Sequence, residues 1–319
     1  MSALEFEKPI FEIESKIKEL QVISSNRKMA LEPELKKLTQ KLEKMKSDIY
    51  NNLTPWQRIQ IARHPERPFT LDYIRMMTSD FVELHGDRQF ADDLAIVAGF
   101  AQINGTKVLL IGHQKGRDTK ENVMRNFGCA HPEGYRKAMR LMNMAEKFGL
   151  PIVVLIDTPG AYPGVGAEER GQAQAIAENL RDMVGLKTPI VATIIGEGGS
   201  GGALGIGIAD RVCILQHAYY SVISPEGCAS ILWRNAIKAP LAAEALKITA
   251  ENLREFGVID QIIPEPLGGA HHDPVKTAAD LKDAILKHIK ELSLLSGEEL
   301  TEQRYNKFRK IGAFLETPV

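Results

Sequence analysis

One glycine-rich segment, residues 196–207, constrains this chain more than any other feature of its sequence. Seven of its twelve residues are glycine, and an apolar segment, residues 189–195, leads directly into it. This order predicts a buried strand that ends in a turn where the backbone comes very close to another group. A turn with so few side chains presents mainly backbone N–H groups, which bind phosphate, other anions or a developing oxyanion.

The composition is that of a globular protein with a large core. Of 319 residues, 44% are hydrophobic and 25% are charged, and the formal net charge is -1. A balance so near neutrality gives no indication of nucleic acid or of a membrane as a partner. No apolar run approaches the roughly 20 residues that a bilayer crossing requires. The acidic N-terminal segment lacks the core of a signal peptide, so we expect a cytoplasmic protein.

Cysteine and histidine usage gives no indication of a metal site. The three cysteines, Cys129, Cys213 and Cys228, form no Cys-x-x-Cys pair, so we expect reduced thiols in or near the core. His271 and His272 follow two glycines in a predicted loop, and no cluster of cysteine and histidine has a zinc-type spacing. The sequence therefore predicts no bound metal.

Patterning divides the chain into three segments. Residues 1–65 are highly charged, and within 32–53 the apolar residues are three or four positions apart. This pattern predicts a helical extension, in which Thr54 caps a further short helix. This extension is either a helical hairpin packed on its own domain or an interface with a partner chain. Residues 66–285 predict the core domain, and residues 286–319 predict a peripheral helical tail.

The middle segment alternates strands with helices. Residues 94–103 and 107–112 predict two strands joined by a hairpin turn at Asn104 and Gly105. Strands that alternate with helices of ten or more residues indicate an α/β fold. Further strands are predicted at 151–156, 189–195 and 211–215, and helices at 132–148 and 167–184.

The glycine-rich segment matches a dinucleotide-binding pattern. Gly196, Gly198 and Gly201 fit G-x-G-x-x-G after a predicted strand. A dinucleotide site also needs an acidic residue about 20 positions later. That part of the sequence reads Gln216, His217, which weakens this interpretation.

The same segment matches the nucleophile pattern of a hydrolase. Ser200 lies in G-x-S-x-G, and Asp260 followed by His271 or His272 gives the order of a catalytic triad. Glycine at every position around the serine loosens the turn that such a nucleophile requires, which weakens this interpretation as well.

A third interpretation uses two glycine turns together. Residues 157–164 and 199–203 each follow a predicted strand, and neighbouring strands can bring such turns to one point. Two N–H donors aimed at one point form an oxyanion hole, and removing one such donor costs about 10²–10³ in rate. The chemistry that suits this arrangement is enolate formation from a thioester, which requires no side-chain nucleophile. Alternatively, both turns serve only the tight packing of helices against the sheet.

Six longer motifs lie around both turns and elsewhere in the chain: DTPGAYPGVGAEERG at 157–171, GEGGSGGA at 196–203, GHQKGR at 112–117, PEGYRK at 132–137, SVISPEGCASILW at 221–233 and PEPLGGAH at 264–271. These motifs resemble the carboxyltransferase alpha subunits of bacterial acetyl-CoA carboxylases. The resemblance extends from about residue 8 to 290, and residues 249–260 also resemble a helix and turn of the wider crotonase group.

The resemblance implies a crotonase-like fold of stacked ββα units. It implies transfer of a carboxyl group from carboxybiotin to acetyl-CoA, which gives malonyl-CoA for fatty acid synthesis. It also implies an alpha2beta2 assembly with a carboxyltransferase beta subunit, an active site between alpha and beta chains with one oxyanion hole from each, and cooperation with a biotin carboxyl carrier protein and a biotin carboxylase. The sequence contains no Met-Lys-Met for biotin attachment and no Walker-type loop, so we expect no covalently bound cofactor.

Candidate site residues follow from both lines of reasoning. The expected oxyanion donors are the backbone N–H groups of Gly160 or Ala161 and of Gly202 or Ala203. Each candidate side chain has a structural alternative: orientation of a loop for Glu197, core or interface packing for Tyr162, and a solvated or salt-bridged surface for the cations that could meet coenzyme A phosphates. The candidate substrate-binding residues are Gly198, Gly199, Gly201, Tyr162, Glu197, Lys115, Arg117 and Arg136.

Two other functions stay open at this point. A crotonase-type enoyl-CoA hydratase or isomerase acting alone needs a carboxylate at the enolate, for which Glu168 and Glu197 are the candidates. A non-catalytic scaffold subunit would present its helices to a partner, and changes in its glycine turns would leave turnover unaffected.

Overall fold

A single sheet organises the chain. The computed structural model describes residues 4–27 and 31–312, in which eight strands form a sheet in the order β1-β2-β3-β4-β5-β6-β8, with β7 paired to β5. The strands are β1 (Ser79–Glu83), β2 (Ile96–Ile103), β3 (Thr106–His113), β4 (Ile152–Thr158), β5 (Ile190–Gly199), β6 (Arg211–Leu215), β7 (Tyr219–Ser221) and β8 (Gln261–Ile263).

Helices precede, connect and follow these strands. None of the helices in the described residues is both long enough and apolar enough to cross a bilayer. The helices are α1 (Lys8–Arg27), α2 (Glu32–Asn51), α3 (Pro55–Ala62), α4 (Thr70–Met77), α5 (Thr119–Met124), α6 (Pro132–Lys147), α7 (Val165–Glu169), α8 (Gln172–Gly185), α9 (Ser200–Gly207), α10 (Pro225–Trp233), α11 (Ala239–Leu246), α12 (Ala250–Glu255), α13 (Pro274–Leu292) and α14 (Gly297–Arg309).

The first part of the sheet is antiparallel and contains the predicted hairpin. Asn104 and Gly105 take φ angles of 47° and 79°, as a two-residue hairpin turn requires. β2 and β3 then pair without a register shift, from Ile103 with Thr106 to Ile96 with His113. The hairpin prediction is therefore confirmed.

From β3 onward the main path of the sheet is parallel, which places the carboxyl ends of β4 and β5 side by side. Every residue of these two strands is buried, as in parallel strands covered on both faces. β5 pairs with β6 through its first half and with β7 through residues 197–199. Because β7 provides this second partner, β5 continues to Gly199, beyond its predicted end at residue 195.

The sequence predicts one helix at 167–184, but the structure has two helices there. α7 ends at Glu169 and α8 begins at Gln172. Gly171 lies between them with a φ of 81°, a left-handed conformation that interrupts the helix and that glycine adopts at little cost.

The N-terminal helices pack on the rest of the chain. Ile10 and Tyr50, from α1 and α2, form an apolar cluster with Ile61 of α3. Thr54 caps α3, as predicted, and accepts a hydrogen bond from the N–H of Gln57 at 3.3 Å. Of the two alternatives for the extension, these contacts match packing on its own domain.

The C-terminal helices belong to the core rather than to the periphery. α13 runs without interruption across residue 285, where the sequence suggested a domain boundary, and Ile285 and Leu292 are buried. Arg304 of α14 is 1% exposed and donates to Asp210 at 2.8 and 2.9 Å. It also donates to the carbonyl of Leu186 at 2.7 Å, so α14 stabilises the chain just beyond the end of α8.

Candidate active site

The two glycine turns meet at the carboxyl ends of β4 and β5. Gly202, in the first turn of α9, packs against the peptide group that joins Gly160 to Ala161. A Cβ atom at residue 202 would lie 2.4 Å from the carbonyl carbon of Gly160 and 2.6 Å from the nitrogen of Ala161, so only glycine fits. A Cβ atom at Gly199 would lie 2.1 Å from the carbonyl oxygen of Pro159. The two backbones are therefore in direct contact.

In the first turn, one of the two expected donors is already engaged. The N–H of Gly160 donates to Oγ1 of Thr158 at 3.1 Å, and the Thr158 hydroxyl donates to the carbonyl of Gly160 at 2.7 Å. The N–H of Tyr162 donates to the carbonyl of Ala130 at 3.0 Å. Within the described parts of the chain, no group accepts a hydrogen bond from the N–H of Ala161. Ala161, rather than Gly160, is therefore the donor that this turn offers.

In the second turn, the helix itself selects the donor. α9 begins at Ser200 after an extended N-cap at Gly199. The N–H groups of the first three helical residues have no acceptor within a helix, whereas the fourth, here Ala203, reaches back to the N-cap carbonyl. The positive end of the helix dipole also lies at these first N–H groups. Gly201 and Gly202 are therefore better placed as donors than Ala203.

Ser200 has a strained backbone but lacks the partners of a nucleophile. Its φ is 49°, and it is exposed at the edge of an apolar cavity of about 430 Å³. Of the described residues that line this cavity, only Lys247 is charged. Asp260 instead accepts a hydrogen bond from the N–H of Val212 at 2.6 Å, and His271 stacks on His64. Among the described residues, no hydrolase triad forms at Ser200.

A buried network of charges joins the ends of β4 and β5 where the glycine turns begin. Nζ of Lys115 donates to Asp157 at 2.6 Å and to Glu197 at 2.8 Å. The second oxygen of the Glu197 carboxylate accepts from Arg63 at 2.7 Å and from the Tyr219 hydroxyl at 2.6 Å. Asp157 also accepts from the backbone N–H of residue 197 at 2.9 Å. These contacts fix the strand ends from which both turns leave.

The network leaves neither Lys115 nor Glu197 free to bind a substrate. Burial raises the pKa of Glu197, but the charges of Lys115 and Arg63 outweigh burial and lower this pKa to about 2. Burial lowers the pKa of Lys115, but Asp157 and Glu197 outweigh it and raise this pKa above its ordinary value. Both side chains stay ionised and paired. The contact of Lys115 with coenzyme A therefore gains no support here and stays a prediction, and the pairing of Glu197 matches its structural alternative of orienting a loop.

The other two basic candidates are also engaged within the chain. Arg117 donates to the carbonyl of Pro65 at 2.7 Å and pairs with Asp72. Arg136, whose side chain is 16% exposed, donates to Asp87 at 2.8 Å. These contacts match the salt-bridged alternative and give no support to coenzyme A binding by either arginine.

The three glycines predicted to bind substrate, Gly198, Gly199 and Gly201, differ in their surroundings. A Cβ atom at Gly198 would lie 2.9 Å from the ring of Tyr220, so Gly198, like Gly199, is required by packing. Gly201 borders the apolar cavity, and a Cβ atom there would lie 3.6 Å from Ile176, an ordinary contact. Only Gly201 is therefore placed to approach a bound molecule.

Tyr162 occupies the outer side of the first turn. Its ring stacks on that of His131 with 4.2 Å between centroids, and the residue is half-buried. Its carbonyl accepts a hydrogen bond from Gln172 at 2.9 Å. A Cβ atom at Gly164 would lie 2.4 Å from the Tyr162 ring, so the turn is folded tightly around this side chain. The ring is anchored in the turn and stays a candidate for ligand contact.

Sequence reasoning missed three residues of this region, Arg63, Asp157 and His113. His113 is fully buried, and burial followed by the charge of Lys115 lowers its pKa to about 3, so the ring is neutral. For His113 and Asp157, the position in the sequence could have indicated a role in the site. His113 and Asp157 lie at or near the carboxyl ends of β3 and β4, where ligand sites of parallel sheets form. Arg63 follows a short helix far away in sequence and carries no such signal.

Comparison with known sequences shows which proteins this chain is similar to. The family model for acetyl co-enzyme A carboxylase carboxyltransferase-like proteins matches residues 3–312. A Geobacter metallireducens protein named acetyl-coenzyme A carboxylase carboxyl transferase subunit alpha is 59% identical over 313 residues, which cover 98% of each chain. The protein of that name from Thermus thermophilus is 57% identical over 313 residues, covering 98% of this chain and 99% of its own.

Solved structures of other enzymes share the fold. The transcarboxylase 12S structure with methylmalonyl-coenzyme A and methylmalonic acid bound matches with a TM-score of 0.59 and 21% identity. The match covers 76% of this chain and 46% of the transcarboxylase chain, so this chain spans less than half of that protein. A Pseudomonas malonate decarboxylase hetero-tetramer in complex with coenzyme A matches with a TM-score of 0.56 and 15% identity, over 69% of this chain and 89% of that one. The predicted crotonase-like α/β fold is confirmed. By its family model and its relatives, the chain belongs to the family of acetyl-CoA carboxylase carboxyltransferase alpha subunits.

Proposed function

We propose that this chain is the alpha half of a carboxyltransferase that moves the carboxyl group of carboxybiotin to acetyl-CoA and so forms malonyl-CoA. The observation that carries this proposal is the close approach of Gly202 to the peptide between Gly160 and Ala161. It gathers N–H groups from two turns, for which the described residues provide no acceptors. Backbone donors in such an arrangement suit the stabilisation of negative charge on a carbonyl oxygen.

The reaction needs charge stabilisation and positioning more than acid–base catalysis. The N–C bond of carboxybiotin breaks, a proton moves from the acetyl methyl group to the ureido nitrogen, and the resulting enolate carbon bonds to the released CO₂. Negative charge therefore develops on the ureido oxygen and on the thioester oxygen. The N–H groups of Ala161 and of the first turn of α9 donate to one of these oxygens, a contribution of about 10²–10³ in rate per donor. The partner subunit supplies the donors for the other.

The engaged carboxylates argue against a hydratase or isomerase that acts alone. Such an enzyme needs an acid or base that exchanges protons with its substrate. Glu197 is 7% exposed and is paired with Lys115 and Arg63. Glu168 lies exposed on α7, outside the charge network. Neither carboxylate is held as a catalytic group at the glycine turns.

An exposed apolar surface supports the presence of a partner subunit. Ile231, Leu232, Ile237 and Leu241, on α10, α11 and the turn between them, are between 57% and 86% exposed. Val222, which is 77% exposed, lines the neighbouring apolar cavity. Contiguous apolar surface of this kind marks a site of association. The beta subunit covers it in an alpha2beta2 assembly, and a biotin carboxyl carrier protein, charged by a biotin carboxylase, delivers carboxybiotin between the subunits.

The activity is tested by mixing the purified chain with its beta subunit and free biotin. We expect carboxylation of biotin that depends on malonyl-CoA, the reverse reaction, in the mixture and with neither chain alone. Hydration of an enoyl-CoA by the isolated chain would instead support the hydratase. Turnover that does not respond to substitution of Gly202 would support a scaffold.

The partner surface is tested by Ile237→Asp, because this side chain is 86% exposed and the substitution leaves the core intact. A central apolar contact contributes at least about 2 kcal/mol, so affinity for the beta subunit should fall roughly 30-fold. Val275→Asp is the matched control, since Val275 is 71% exposed at the start of α13. Equal binding of both variants would show that the beta subunit docks elsewhere.

A further inference from the structure

Two histidines and a glutamate from opposite ends of the chain meet away from the glycine turns. Glu7 ends a short 3-10 turn, Glu5–Glu7, and His271 and His272 lie in the loop before α13. One carboxylate oxygen of Glu7 and one ring nitrogen of each histidine all lie within 4.8 Å of one another. Across residues 4–27 and 31–312, no other group of three such side chains comes this close.

The loop before α13 is shaped around the two imidazole rings. Gly268 and Gly269 take φ angles of 99° and 108°, which other residues rarely adopt. A Cβ atom at Gly268 would lie 2.5 Å from Cδ2 of His272, and one at Gly269 would lie 3.2 Å from Cε1 of His271. The two glycines therefore let both rings fold back over the loop.

Glu7 is a buried carboxylate that lacks a cationic partner. The residue is 2% exposed, and no lysine or arginine of the described residues forms an ion pair with it. Its Oε1 accepts from the Tyr50 hydroxyl at 2.8 Å, and its Oε2 accepts from the N–H of Leu4 at 3.0 Å. These neutral donors orient the carboxylate but leave its charge uncompensated, and a buried charge is costly unless it is paired or coordinates a metal.

The imidazole rings are available as ligands. No described group forms a hydrogen bond with either ring, and Nδ1 of His271 is buried without a partner. His64 stacks on His271, with 3.9 Å between ring centroids, and holds the plane of that ring.

We infer that Glu7, His271 and His272 form a binding site for a divalent transition metal ion, for which Zn²⁺ is the best fit. Two imidazoles and one carboxylate are a known zinc ligand set, and His272 is exposed, so a fourth position opens to solvent. The ion joins the N-terminal turn to the loop before α13. It thereby holds the helical extension against the core domain, a role separate from the proposed carboxyl transfer.

The test uses the full chain, stripped with a chelator and titrated with Zn²⁺, and with Co²⁺ as a spectroscopic probe. We expect one ion per chain and the visible absorption of Co²⁺ bound by nitrogen and oxygen. Tyr50→Phe removes only an outer hydrogen bond and should lower affinity roughly 10–100-fold, and Glu7→Gln and His272→Ala should lower it further. His85→Ala is the matched control, because His85 is exposed and lies outside the cluster.

Hydrogen exchange provides a second readout that does not depend on activity. Zn²⁺ should slow amide exchange in Glu5–Glu7 and at the start of α1 in the wild type but not in His272→Ala. The exposed position of His272 keeps this variant folded even where Glu7→Gln weakens the core. Wild-type protein that binds no Zn²⁺, or His272→Ala that binds it as tightly as wild type, would overturn the inference.

Discussion

Gly202→Ala is the most direct test of the contact between the two glycine turns. A Cβ atom at residue 202 would lie 2.4 Å from the carbonyl carbon of Gly160, and ordinary van der Waals contact begins at 3.4 Å. The difference, 3.4 − 2.4, requires the two backbones to separate by about 1 Å. Overpacking of this kind costs about 1–3 kcal/mol of stability, which a core of this size tolerates.

The effect on catalysis should exceed the effect on stability. Displacement by about 1 Å lowers a rate by about 10²-fold, and loss of one oxyanion donor lowers it by about 10²–10³-fold. We therefore expect Gly202→Ala to form the complex with its beta subunit and to lose about two to three orders of magnitude in malonyl-CoA-dependent biotin carboxylation. Gel filtration reports assembly, and thermal unfolding reports the cost in stability.

Gly185→Ala is the matched control for this experiment. Residue 185 ends α8, and a Cβ atom there would meet nothing within 4 Å. The added methyl group should leave the rate unchanged and raise stability slightly, because alanine favours a helix more than glycine does. A Gly202→Ala complex that assembles and keeps the wild-type rate would refute the placement of donors at this contact.

Three further outcomes follow from buried groups. Arg67→Met leaves Glu265, fully buried and bound to Arg67 at 2.7 Å, without its cation and should cost about 3–5 kcal/mol in urea unfolding. The pKa of Glu197 in the folded state is about 2, below its ordinary 4.5, so the folded state binds fewer protons than the unfolded state. The stability that ionised Glu197 contributes is therefore complete above about pH 4.5 and is lost as the pH falls toward 2. The free energy of unfolding of Glu197→Gln should depend less on pH in that window. Burial raises the pKa of Cys129 to about 11 and that of Cys213 to about 12, so both thiols should react with alkylating reagents at neutral pH only after unfolding.

The parts of the fold that were predictable are those set by local chemistry. Asn104 and Gly105 specify a hairpin turn through their own backbone preferences, and Thr54 caps α3 through its own hydroxyl group. The end of β5 depends instead on a distant partner. Residues 196–199 read as a turn because glycine disfavours strands, but pairing with β7 keeps them extended.

The roles of the charged residues in the site could not be assigned from sequence, because their partners are also distant in the chain. Lys115 stands in the most basic stretch of the chain, which suggests an anionic ligand when only its neighbours are considered. Its partners, Asp157 and Glu197, lie at the ends of two other strands and become neighbours only in the folded sheet. Glu7 shows the same limit, because the loop that meets it lies at the opposite end of the chain.

These contacts also explain why chemistry at this site falls to the backbone and to a second polypeptide. The charged side chains that surround the glycine turns are paired with one another, and this pairing holds β4 and β5 in the register that brings Gly202 against residue 160. A lysine or glutamate that bound a substrate would have to leave this network and would loosen the same contact. The pairing that keeps the backbone donors rigid therefore leaves these ionisable side chains unavailable to a substrate. A chain that keeps the rigid donors must obtain any further charge at its substrates from the partner subunit that the exposed surface around Ile237 is proposed to bind.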